Sequence, residues 1–326
     1  MKCNKKILLG IFALLFITTC LYLTPGTAQS AQFGAVLIAH GSNKPEWNAR
    51  IAGFYNTIKN ELPPSQLAFL NFVAGSTLQD AVDALKDGNP DLQEILFVHL
   101  SPSSYSIRHK EIESTVSQLI TTPLQYQISP AMDDHPLAVG ILKDYANEFY
   151  INDPAHSPAN ESLILIGYGA PDELENVEWV RKLKRIGESI RIDLGFREVA
   201  CMTLRHHAAD LVRSQAIADL QETAKRLKEQ GRVVVVPYIL CALPQNHGFI
   251  KELESCLRGI VNPGDICKKG VISHDNTKAW VKEVVRNQMN QTGIRPVNRN
   301  WSAMDAEKGG DSKYKYGNVT IEKVPR

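Results

Sequence analysis

The sequence predicts an α/β protein of two similar lobes, each built on a four-stranded parallel sheet, the two related by internal duplication. Short apolar, β-branched runs alternate with amphipathic stretches, which is the pattern of successive strand–helix units. The runs divide evenly, with residues 35–39, 67–73, 94–100 and 124–129 in the first half and 163–167, 198–204, 233–240 and 270–273 in the second. The first run of each half leads into a comparable turn, Ala39-His40-Gly41-Ser42 and then Gly167-Tyr168-Gly169-Ala170.

Each turn is followed by a proline, an acid and a tryptophan-bearing helix start. Pro45, Glu46, Trp47 and Asn48 lead into a helix through Leu62; Pro171, Asp172, Glu173, Asn176 and Trp179 lead into one through Ile192. Duplication is the economical explanation of a repeated order with a repeated turn. Between the halves, Asp153-Pro154 and Ser157-Pro158 break the periodicity and mark a linker near 152–160. This gives an N-terminal lobe over 32–152 and a C-terminal lobe over 160–290. From 291 to 326 apolar residues thin out among Gly, Lys and Asp, and a loosely ordered tail or packed arm is expected.

The length of 326 residues suffices for two domains. A formal net charge of +1 lacks the basic excess of a phosphate-backbone binder, so no nucleic-acid partner is expected. Hydrophobic residues at 44% and charged residues at 22% fit a globular protein with real cores. At the start, Lys2, Lys5 and Lys6 precede an apolar run over 7–23, and small residues follow through Ala28, Ser30 and Ala31. That is the order of a secretory signal peptide over 1–31. The expectation is an exported, periplasmic protein with no stable membrane span after cleavage; an uncleaved anchor is the alternative, since the run is near the lower length limit for spanning. Export leaves Cys201, Cys241, Cys256 and Cys267 in an oxidising compartment, either as two bridges at most or as buried free thiols, and their spacing matches no metal motif.

Ligands of an open parallel sheet bind at the carboxyl ends of its strands. His40 directly follows the first strand, and Gly41 beside it permits a tight turn. A neutral imidazole there suits a transition-metal ligand or proton acceptor, with a hydrogen-bonded structural histidine as the equal alternative. The third run ends in His99-Leu100-Ser101-Pro102-Ser103-Ser104-Tyr105-Ser106-Ile107-Arg108-His109, which places His109 at the rim as a candidate ligand and His99 within the strand. In the second half His247, after Pro244-Gln245-Asn246, occupies the comparable turn.

At these residues the chain resembles the two-lobed CbiX-type chelatases, over roughly 33–287. The first lobe is similar in Ala39-His40-Gly41-Ser42, Glu46-Trp47-Asn48 and Thr77-Leu78-Gln79-Asp80-Ala81-Val82. The second is similar in Ala170-Pro171-Asp172, Glu175-Asn176-Val177-Glu178-Trp179, Thr203-Leu204-Arg205, Val235-Val236-Pro237 and Ile272-Ser273-His274. The resemblance implies two Rossmann-like lobes around a cleft and an ATP-independent enzyme that inserts a divalent metal, Co²⁺ first and Fe²⁺ or Ni²⁺ next, into sirohydrochlorin or a related tetrapyrrole. The metal is a substrate and no organic cofactor is implied; the oligomeric state is left open. By the same resemblance His40 is metal ligand and proton acceptor, His109 a second ligand and catalytic group, and His247 a ligand from the other lobe. Tyr105, Arg108, Tyr168 and Arg205 are the substrate-binding candidates, with Lys110, His206 and His207 as further groups at the cleft edge. The chain departs from the family at Tyr168, where a histidine is common, and at Asn71, where short members carry an acid. Export sets the protein apart from routine cobalamin or siroheme synthesis, and a non-catalytic periplasmic protein binding metal or tetrapyrrole is the rival reading.

Overall fold

A computed structural model describes residues 33–120, 123–151, 155–243, 248–290 and 299–300. In the first lobe β1 (Phe33–Ala39) is the hub. It pairs in parallel with β2 (Ser65–Phe69) and β3 (Glu94–His99), and β3 pairs with β4 (Gln125–Ile128), so the order is β2-β1-β3-β4. Helices α1 (Pro45–Ile58), α2 (Leu78–Gly88), α3 (Ile107–Leu119) and α4 (Pro136–Ile151) complete it. In the second lobe β5 (Ser162–Gly167) lies between β6 (Glu198–Thr203) and β7 (Val233–Tyr238), again all parallel. Its helices are α5 (Glu173–Leu194), α6 (Asp210–Lys228), α7 (Gly248–Cys256) and α8 (Asp275–Met289). A short β8 (Arg299–Asn300) adds to the first sheet beside β4.

The near-continuous apolar strands follow from burial on both faces, as parallel sheets require. Along β1, Ala35, Leu37 and Ala39 face inward, while Val36 and Ile38 face an outer core with Val82 and Leu85 of α2 and Ile112 and Val116 of α3. Along β5, Leu163 and Leu165 face inward, and Ile164 and Ile166 pack outward on Leu220 of α6 and Phe249 of α7. The two inward faces belong to one core. Ile51 of α1, Ile141 of α4, Ile186 of α5 and Trp280 of α8 fill it between the sheets. Each such side chain, fully buried, contributes roughly 1.5–3 kcal/mol, so the lobes are held together by much more than a linker.

The lobes also exchange a matched pair of contacts. His135 precedes α4, and its Nδ1 accepts from the backbone N–H of Leu137 at 3.2 Å; His274 precedes α8, and its Nδ1 accepts from Asn276 at 3.1 Å. Each imidazole satisfies an orphan donor of its helix start. The far nitrogen of His135 lies 3.5 Å from Glu283 on α8, and that of His274 lies 3.2 Å from Asp144 on α4. Both carboxylates stand nine residues beyond their own lobe's cap histidine. The same geometry is made twice with the lobes interchanged.

Two expectations about strands are corrected. The second lobe's sheet has three strands among the described residues. The apolar run at 270–273 is a 3₁₀ turn, Val271–Ser273, and the fourth position holds only a single bridge between Ile266 and Val235. The segment between the two 3₁₀ turns pairs only at Ile266, and Val271 and Ile272 go into the shared core instead. In the first lobe the run at 67–73 stops being strand at Phe69. Asn71 donates its backbone N–H to His40 O at 3.1 Å, and Phe72 takes φ 68°, which no strand residue adopts.

The four cysteines are free thiols. Burial pushes Cys201 up to about 12 and Cys241 and Cys267 to about 11, which keeps them protonated and unreactive near neutral pH. Among the described residues no helix is long and apolar enough to cross a membrane. The signal-peptide segment, His247 and most of 291–326 lie outside the described residues.

Candidate active site between the lobes

The chain at the end of β1 turns because it has to. Gly41 has φ 83°, and a Cβ there would sit 2.0 Å from the carbonyl oxygen of Asn71, so only glycine fits. Asn48, in the first turns of α1, clamps this turn from the side. Its Oδ1 accepts from the Ser42 backbone at 2.9 Å and its Nδ2 donates to Ser42 O at 2.7 Å. The second lobe repeats the device. Gly169 has φ 78°, and Asn176 Oδ1 accepts from the Ala170 backbone at 3.3 Å and from the Thr203 hydroxyl at 2.8 Å. These clamps fix the residue before each glycine, His40 in one lobe and Tyr168 in the other.

Both residues line a cavity of about 300 Å³ at the carboxyl ends of the strands of both sheets. His99, Ile107 and Arg108 join His40 from the first lobe, and His206 and His207 join Tyr168 from the second. Trp47 and Trp179 add flat apolar wall. His40 Nε2 is buried and has no hydrogen-bond partner among the described residues. Burial, then the charge of Arg108, hold this imidazole below its usual range, so it is neutral near pH 7 with a lone pair to offer. His207, at the exposed mouth, is lowered by desolvation and by the cationic Arg108 nearby, with the surrounding imidazoles disfavouring a further positive charge. Tyr168 packs on Phe249 at 4.4 Å between ring centres, and burial drives its phenol further from ionisation.

Arg108 is tied to Glu111 on the next turn of α3 at 2.7 Å, and Asn71 Nδ2 donates to the same carboxylate at 3.2 Å. Burial alone would raise Glu111; these two donors outweigh it and keep it an anion near His40. The pair is a third exposed, so the bond is worth about 1 kcal/mol or less and Arg108 is free to exchange it for a substrate carboxylate.

Several expected site residues lie elsewhere. His109 is 2% exposed and does not line the cavity; its Nδ1 is 3.0 Å from Nδ1 of His99, which does. The placement of these two histidines relative to the cavity is therefore the reverse of the sequence expectation. The signal was present: His109, Ile112 and Val116 follow helical spacing, so His109 falls on the buried stripe of α3. Arg205 is 6% exposed, is held by Glu173 at 2.6 Å and by Pro171 O at 2.8 Å, takes φ 51° and does not line the cavity, so it braces its own loop. Tyr105 faces the second lobe's Lys182 and lies outside the cavity wall. Lys110 pairs across the lobes with Glu175. Among the described residues no three His, Cys, Asp or Glu side chains form a preformed metal cage.

The CbiX family model matches residues 34–148, which spans the first lobe from β1 into α4. The N-terminal lobe is therefore similar to the CbiX family over nearly its whole length. No curated protein is a significant match to the chain. Solved structures extend the likeness to both lobes. SirB from Bacillus subtilis with Fe³⁺ matches with a TM-score of 0.59 at 17% identity, over 80% of this chain and 98% of that one. The sirohydrochlorin chelatase SirB from Bacillus subtilis subspecies spizizenii in complex with cobalt matches at 0.56 and 15% identity, over 79% and 95%. CbiX, the terminal enzyme for biosynthesis of siroheme in denitrifying bacteria, matches at 0.53 and 16% identity, over 79% and 99%. At these identities the comparison establishes the fold.

Proposed function

We propose that the protein is an ATP-independent metal chelatase that inserts a divalent ion, Co²⁺ in first place, into sirohydrochlorin or a closely related tetrapyrrole. The observation that carries this is His40, a neutral imidazole with an unpartnered buried nitrogen at the end of β1, in a cavity walled by two tryptophans. Metal insertion needs a ligand that releases the ion readily and a base for the two pyrrole protons, and neutral imidazoles in one cavity supply both, with His40 as the ligand. The tryptophan walls suit a flat ring, and Arg108 suits its carboxylates. The structural matches with iron and cobalt support a first-row transition metal as substrate, and the signal-like start supports export. The test is incubation of purified protein with sirohydrochlorin and Co²⁺, Fe²⁺ or Ni²⁺, following the ring's absorption. His40→Ala is expected to abolish metallation with the fold retained, and Tyr168→Phe to cost far less; the opposite ranking moves the chemistry to the second lobe.

Tyr168 in a turn equivalent to that of His40 favours a second reading, a protein that binds metal or tetrapyrrole without inserting one into the other. Perturbed ring absorption with no metallated product would select it.

A further inference from the structure

The chelatase reading leaves a pair of buried histidines unused, and with Glu113 they stand in file from the cavity outward. His99 lines the cavity with its Nδ1 turned away to His109 Nδ1 at 3.0 Å, which leaves Nε2 as the ring nitrogen available to the cavity. His109 Nε2 in turn lies 3.4 Å from Glu113 Oε1, one turn along α3, and both atoms are buried without a hydrogen-bond partner among the described residues, so a small side-chain rotation is all that closes the link. The Glu113 side chain is 28% exposed, so the carboxylate has its buried Oε1 toward His109 and the remainder of the side chain toward solvent. Two imidazoles joined through Nδ1 need one donor and one acceptor. With His99 carrying its proton on Nδ1 and His109 on Nε2, the first N–H donates to His109 and the second points at a carboxylate. This tautomer pair gives every nitrogen along the file a role, and it leaves a lone pair facing the cavity.

We propose that His99, His109 and Glu113 form a proton exit for the metallation reaction. The inference rests on the chelatase reading. A pyrrole N–H gives its proton to His99 Nε2 as the N–metal bond forms. His99 passes its Nδ1 proton to His109 Nδ1, and His109 passes its Nε2 proton to Glu113, which releases it to water. Charge balances at each step, because one proton enters as one leaves; a return rotation or reverse tautomerisation resets both rings for the second pyrrole proton. Burial, followed by the neighbouring His109, holds His99 well below the usual histidine range, so a proton does not rest there and block the ion. A flat macrocycle covers the mouth it enters by, and this file offers the covered face a route to solvent through the protein.

Glu113→Gln tests this at the partly exposed end, where the fold is least at risk. Measured at saturating Co²⁺ and sirohydrochlorin, kcat should fall about tenfold or more, within the range for a positioned proton-transfer group. The solvent deuterium isotope effect on kcat should increase, affinity for Co²⁺ alone should stay unchanged, and Glu113→Asp should recover part of the rate. His109→Gln, checked for folding by circular dichroism, should lower kcat with the same isotope signature. Unchanged kcat and isotope effect in Glu113→Gln, in a wild type that metallates the ring, would overturn the exit. A wild type that does not metallate would overturn the chelatase reading itself.

Discussion

At the scale of single residues, burial keeps several imidazoles neutral, three at the cavity and one, His135, at the contact between the lobes. His99, His40, His135 and His207 are all lowered from 6.5, chiefly by burial. In the unfolded chain these rings take up protons near 6.5. The unfolded state therefore binds more protons than the folded one as pH drops below that value, and stability falls with it, most of all through fully buried His99. Urea midpoints should hold from pH 8 to 7 and then decline toward pH 5, by about 1.4 kcal/mol per pH unit for each proton of difference; a flat profile would contradict the burial of these rings. His40 was legible in the sequence because a glycine follows it directly at a strand end. His99 was not, because a residue inside an apolar strand gives no sign of standing at the last position, where the sheet edge opens. The bond between Arg108 and Glu111 was equally invisible, since charges three apart on a helix are ordinary surface furniture until a cavity is found beside them.

Among the elements, the two strand-to-helix turns decide where the chemistry sits. Asn48 and Asn176 each hold one turn, but only the first turn presents an imidazole. Asn48→Ala should cost about 1–2 kcal/mol for two lost bonds to the backbone, and should also depress metallation sharply as His40 loses its fixed position. Asn176→Ala should cost a similar amount of stability with a much smaller loss of rate. Thermal melts and initial rates on both variants check this, and equal loss of activity would mean that the turns contribute alike. Seven of the eight expected strands were readable from apolar runs, because double-sided burial leaves little polar interruption in a parallel sheet. The eighth failed because Val271 and Ile272 are apolar for a different reason, as the buried approach to α8, and run length alone does not separate the two.

For the whole molecule, the shared core means that neither half has a finished surface. Residues 32–152 expressed alone would present Leu37, Ile51, Ile141 and their neighbours to water. Sedimentation should find that fragment self-associated or aggregated; a monodisperse monomer would show that the inner face can close on itself. The exchanged contacts say what kind of association the inner faces suit. His135 with Glu283 and His274 with Asp144 are one contact written twice, as happens when identical subunits meet across a two-fold axis. In a true homodimer any substitution appears on both sides at once, so a histidine lost from one turn is lost from the other. Joining the halves in one polypeptide removes that bond between the copies. One turn can then keep an imidazole at position 40 while its twin settles on the phenol of Tyr168, and a symmetric shell comes to hold a single, one-sided centre.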